Sequence, residues 1–169
     1  QNNKTPAVQP AVTDTINKLA YSETYPFSKV SVIEVVSYPD RMNWDTIIIS
    51  KGAFKLNDNV IEDGKLRIPD DRIRDRIKLT DQQAKAFFEL LYNFHCKEEE
   101  GAACFDPRHS FIFYDQAGKA YASLEICIEC SEYRISGKFS ETDFCFEKTE
   151  LIARFIEQVG VKYFGGEGE

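Results

Sequence analysis

No apolar run in this sequence approaches the 18 or so residues that a membrane-spanning helix needs, so nothing in it reads as a transmembrane segment. Basic residues are the minority: 21 Lys and Arg stand against 28 Asp and Glu, for a formal net charge of −7. Neutralising a phosphate backbone takes a basic face, so no nucleic-acid partner is expected, and an acidic solvated surface is the plain reading. Catalytic signatures are missing as well. There is no P-loop, no GxGxxG, no HExxH and no GxSxG, so no cofactor is called for and no nucleophile arrives with its activating partner. Internal repeats and Pro/Gly-rich interior linkers are absent. Met occurs once, at 42, and the chain opens on Gln1. The expectation is an N-terminus trimmed by processing or by truncation, which would fit a cleaved signal peptide or a lipid anchor upstream of Gln1.

What is present points to one domain. A length of 169 residues can bury a single sizeable core, and 13 Phe with 8 Tyr predict an aromatic one. Gln1–Thr13, with Pro6 and Pro10, reads as a flexible tether, 14–164 as one domain and 165–169 as a frayed tail. A Thr-Asp start predicts a short helix over Thr13–Tyr21, with Pro26 ending anything helical. Lys29–Ser37 is rich in β-branched residues and predicts a strand. Asp45–Ser50 predicts a second, fully apolar strand, and the two are expected to pair as a hairpin with Trp44 as a core or rim anchor. Val60-Ile61 and Leu66–Ile68 read as short strands between turn clusters, and Asp70–Leu79 as either an edge strand with Ile73, Ile77 and Leu79 inward or a loop with one helical turn. Thr80 and Gln83 form a capping box ahead of Ala84, Phe87, Phe88, Leu91 and Phe94, which recur at helical spacing. A second helix spans Phe144–Val159 with Gly160 beyond its end. The fold class is therefore α+β: a mostly antiparallel sheet with a central hairpin, packed by two main helices.

The stretch Cys104–Cys130 organises the chain. The apolar strand Ser110–Tyr114 meets a turn at Asp115–Lys119, where Asp115 and Gly118 suit a tight reversal. In the return strand Ala122, Leu124, Ile126, Ile128 and Cys130 fall on one face, and Tyr121, Ser123, Glu125, Cys127 and Glu129 on the other. Paired positions then sum to about 235. That register puts His109 near Glu125 and Cys104 near Cys130.

Two sets of residues could carry chemistry. Arg108 and His109, facing Glu125 and Glu129, make a His–carboxylate constellation of the kind a general base needs, and a cross-strand ion pair is its plainer reading. The five cysteines admit three readings. One is a Cys104–Cys130 disulfide at the base of the hairpin. Another is a metal site from Cys104, Cys127, Cys130 and either His109 or Cys145. The third is reduced cysteines acting as small apolar groups. The CxxC at Cys127 and Cys130 lies at a strand end, where residues three apart point to opposite faces; metal is accordingly not expected, and the disulfide is carried forward.

The strings Cys104-Phe105-Asp106-Pro107-Arg108-His109, Phe113-Tyr114-Asp115 and Glu125-Ile126-Cys127-Ile128-Glu129-Cys130, with Cys145 ahead of a final Leu-Phe helix, resemble a group of uncharacterised bacterial proteins. Many of these carry a signal or lipoprotein leader. The resemblance spans about Leu79 to Gly165, and the group pattern C-x-P-R is one residue longer here. It implies a periplasmic, outer-surface or secreted location and a shared scaffold, and no reaction. The expected function is a non-catalytic binding domain for an unknown protein or small ligand. The alternative is an enzyme or metal-binding protein built on His109, Glu125 and the cysteines.

Overall fold

The computed structural model describes residues 18–98, 102 and 104–166. The tether, most of the expected Thr13–Tyr21 helix and the last residues of the frayed tail lie outside these. Lys18–Ala20, the start of the described chain, is not helical.

Nine strands and two helices are described: β1 (Val32–Ser37), β2 (Thr46–Ser50), β3 (Ala53–Leu56), β4 (Ile61–Glu62), β5 (Lys65–Leu66), β6 (Asp75–Lys78), α1 (Asp81–Phe88), β7 (His109–Tyr114), β8 (Ala120–Cys127), β9 (Glu132–Ser136) and α2 (Phe146–Gln158). A five-stranded antiparallel sheet runs in the order β6-β1-β7-β8-β9. The central hairpin β7–β8 has the expected register, with Phe111 opposite Leu124 and Ser110 opposite Glu125. Asp115 closes its turn by accepting from the Ala117 and Lys119 amides. Chain reversal at Ile128–Ser131 starts a separate strand, β9, rather than continuing β8.

One expectation fails. β1 does not pair with β2; it lies between β6 and β7, while β2 pairs with β3 in a two-stranded sheet of its own. β1 is wholly backed by protein and needs hydrogen-bonding partners on both edges. β2 and β3 meet through a two-residue turn whose Lys51 and Gly52 both have positive φ, 46° and 79°, the conformation that matches strand twist in tight hairpins. That local closure wins over the irregular β1–β2 connection, which instead holds a 3-10 turn at Arg41–Asn43.

The sheet is covered on both faces. On one face α1 and α2 seal an aromatic core. Phe87 stacks on Phe111 at 3.7 Å between ring centres, and Phe27 meets Phe88 and Phe113 edge-on at 5.1 and 5.2 Å. Phe87 and Leu91 are buried here as expected; on α2 the inner positions are taken by Ile152, Phe155 and Ile156, and Leu151 is only half-buried. α1 carries its capping box and then widens into a turn at Glu89–Asn93, in which the Phe94 amide reaches the Glu89 carbonyl. The other face is covered by the segment between β1 and β6. Val60, Ile68, Ile112, Val36 and Tyr38 form its smaller core, with Trp44 at the rim.

Two disulfides hold the ends of this architecture. Cys104–Cys130 pins the base of the central hairpin, as the register requires. Cys96–Cys145 ties the chain just beyond the widened Glu89–Asn93 turn to the start of α2 across a separation of 49 residues. Cys127 is the free cysteine, and it is buried.

Candidate functional site

Strand alternation decides the fate of the His109–Glu125 constellation. His109 is opposite Ile126, not Glu125, and so shares the helix-backed face with Phe111 and Leu124. Glu125, opposite Ser110, points to the other face. The sheet stands between the two side chains, and they do not form an acid–base pair.

Arg108, His109 and Glu129 do gather, around a cavity of about 150 Å³ also lined by Asp106, Ile128 and Phe164. His109 Nε2 donates to the Tyr163 carbonyl at 2.9 Å, and the ring packs on Phe164 at 4.8 Å. Burial pushes the imidazole down to about 4. A neutral, enclosed imidazole bonded to a carbonyl clamps the C-terminal segment and is poorly placed to take a substrate proton. Arg108 joins Asp106 at 2.9 Å and Glu129 at 3.4 Å. Asp106 Oδ1 is buried and receives no N–H or O–H from the rest of the protein. The Asp40 carboxyl is a like-charged neighbour, which disfavours the ionised form of Asp106. Burial, and then that neighbour, push Asp106 up to about 6. Cys127 lies alongside; burial raises its thiol, and its backbone neighbours are Asp106 and Cys130. With Cys104 and Cys130 bonded to each other, the CxxC does not act as a unit. No group of three or more His, Cys, Asp or Glu side chains is placed to hold a metal ion among the described residues.

Glu125 belongs to a different arrangement. Its Oε1 accepts from Arg41 at 2.5 Å and from the Tyr38 hydroxyl at 2.7 Å. Burial raises the carboxyl, and Arg41 and Tyr38 oppose that shift. Arg41 is itself fully buried, and its guanidinium also reaches Asp45 at 2.9 Å and the Asn57 carbonyl at 2.7 Å. Asp45 immediately precedes β2 and Asn57 immediately follows β3. One buried cation therefore fixes both ends of the β2–β3 ribbon to β8, and Arg67 adds a second bond to Asp45 at 2.5 Å.

The ribbon held this way is the most unusual surface of the molecule. Ile48 is 70 % exposed, Phe54 61 % and Ile49 55 %, and Ile48 and Phe54 are cross-strand partners. Met42 and Ile47 are exposed as well. Large apolar side chains scattered singly on a surface need no explanation; five within one short stretch of chain do. Sequence reasoning missed it because three successive isoleucines read as a strand buried on both faces. The signal that could have found it is the Lys51-Gly52 turn directly behind them, which leaves no chain to supply the cover.

A second missed feature lies across the sheet. An open groove of about 540 Å³ runs between β9, the widened turn after α1 and the loop before α2, lined by Leu19, Tyr92, His95, Tyr133, Phe139 and Glu141, among others. Behind it lies Lys148, fully buried, whose Nζ donates to the carbonyls of Leu91 (3.0 Å) and Asp143 (2.8 Å) and pairs with the Asp143 carboxylate. Burial lowers the lysine, opposed by Asp143. The widening at Glu89–Asn93 thus presents the Leu91 carbonyl to a cation, and Tyr92 and His95 to the groove.

No protein-family model, no curated protein and no solved structure matches the chain.

Proposed function

We propose that this chain is a non-catalytic interaction domain working in an oxidising compartment outside the cytoplasm, of the kind found in bacterial envelope or secreted proteins. The observation that carries this reading is the β2–β3 ribbon: its apolar side chains are exposed while its root is fixed by the Arg41–Glu125 pair. A floppy apolar loop would be a liability. A rigid one is pre-organised to bind, because little conformational freedom remains to be lost on association. The two disulfides support the compartment, since such bonds persist where thiols are not kept reduced. No helix of the described residues is long and apolar enough to cross a membrane, which is compatible with that location. The catalytic alternative has less to stand on, because the sheet separates its base from its carboxylate.

A photo-crosslinking amino acid placed at Ile48 tests the reading in the producing cell. The expected result is a discrete protein adduct, lost when Phe54→Ser and Ile49→Ser remove the rest of the patch. A chain that yields no protein adduct at this position, of itself or of another protein, would overturn it.

A further inference from the structure

The ribbon and the groove are complementary, and they lie on opposite sides of the sheet. The ribbon belongs to the segment covering the β1–β6 side, whereas the groove is lined by Tyr92, Tyr133 and Phe139, which pack on the helix-backed core. From Thr46 to Leu56 the ribbon holds two lysines, Lys51 and Lys55, and no acid, in a chain whose net charge is −7. Lys55 meets Asp58 at 2.6 Å, but Lys51, at the tip, has no carboxylate within ion-pair reach among the described residues. The groove has the opposite character: an aromatic and aliphatic floor of Leu19, Tyr92, Tyr133 and Phe139, and at its rim Glu141, exposed and without a cationic partner among the described residues. Its volume of about 540 Å³ falls in the range that admits several large side chains. An apolar tip with a cation thus has a counterpart in an apolar slot with an anion.

We propose that the ribbon of one molecule seats in the groove of a second copy of the chain, with Ile48 and Phe54 on the aromatic floor and Lys51 against Glu141. This rests on the interaction-domain reading and names the partner. A symmetric ribbon-to-ribbon dimer is the poorer solution, since it would bring the lysines of the two copies together while leaving the groove empty. Because the donor and acceptor surfaces differ, the contact is head-to-tail, and each molecule keeps a free ribbon at one end and a free groove at the other. Such contacts propagate into rings or open filaments.

The test is association measured by sedimentation velocity over a wide concentration range. Wild type is expected to form a concentration-dependent series beyond the dimer. Ile48→Ser with Phe54→Ser, both exposed, should abolish it. Lys51→Glu and Glu141→Lys should each weaken association roughly tenfold, the scale of a lost complementary charge at an interface. An equimolar mixture of those two variants should recover the series in alternating form, because the ribbon of each finds the opposite charge in the groove of the other. The charge-swapped double variant should recover the series. A wild type that stays monomeric, or variants that fail to complement on mixing, would overturn the inference. Adducts from Ile48 to a different protein would overturn it too while leaving the interaction reading intact.

Discussion

The two faces of the sheet are built on different principles. The helix-backed face is closed by stacked and edge-on aromatics, Phe27, Phe87, Phe88, Phe111 and Phe113, with its polar exceptions at the margins. The other face has a smaller apolar core grouped around Arg41, Glu125, Tyr38 and Asp45, a buried ionic network. Aromatic packing is tolerant of direction and supplies cohesion; hydrogen-bonded charges are directional and supply position. The molecule puts cohesion where the helices dock and position where the ribbon is mounted. A buried ion pair adds little net stability over an apolar replacement, so its presence at this place fits a role in aiming the ribbon.

The comparison breaks most visibly at Arg41. Arg41→Ala strands Glu125 and Asp45 beneath the ribbon and is expected to cost about 3–5 kcal/mol in chemical denaturation. Replacing Arg41 and Glu125 together by Met and Leu should return most of that stability while ribbon-dependent association stays impaired. If the double variant associated as well as wild type, position would not be what the network supplies. On the opposite face Phe87→Ala is expected to cost a similar 3–5 kcal/mol, and there a second compensating change should recover little. Removing the Cys96–Cys145 bond, which closes a loop of 49 residues, should cost about 4 kcal/mol in the chain-entropy model, slightly more than losing Cys104–Cys130 with its 26.

A smaller effect comes from pH. Asp106 titrates at about 6 in the folded chain, above its ordinary value of 3.8, so the native state holds its proton more tightly than the unfolded chain. The stability this contributes is complete below the ordinary value and is lost as pH rises through about 6. His109, held down to about 4, acts in the opposite sense over the same window, so removing the Asp106 titration with Asp106→Asn should make the melting temperature rise more steeply between pH 4 and pH 7 than it does in the wild type. The smallest expected signal is chemical: Cys127, buried and with its thiol raised, should ignore thiol reagents in the native protein and react once it is unfolded.

Much of the helix-backed face was legible in the sequence. Period-two alternation from Ala122 to Ile128 set the hairpin register, because a one-residue slip would expose the whole apolar row, and that register brought Cys104 to Cys130. Thr80 and Gln83 marked the start of α1 through their own side chains, a wholly local signal. The other face was not legible. Ser123, Glu125 and Cys127 read as the solvent side of a one-sided sheet, yet each is buried. The cover on Glu125 comes from Tyr38 and Arg41, in the irregular chain after β1, where no period runs. Arg41 gave no sign of its destination, since Glu125 lies 84 residues further on. Cys96 and Cys145 escaped for the same reason: one lies in the loop after the widened turn and the other ahead of α2, and no strand register links them.

Ser37 is the last residue of β1 and Asp75 the first of β6; they face each other in register, and the Ser37 hydroxyl donates to the Asp75 carboxylate at 2.6 Å. Everything between them, 38–74, leaves the sheet and returns to the same point. The excursion is therefore a cassette, with both ends clasped side by side. A tight turn from β1 directly into β6 would preserve the sheet order, provided that Glu125 and the apolar row beneath were recoded for water. In the opposite sense, the same pair of ends would accept a foreign hairpin. The architecture thus divides into a chassis and an exchangeable head, and the ribbon proposed for recognition could be rewritten while the helix-backed core stays as it is.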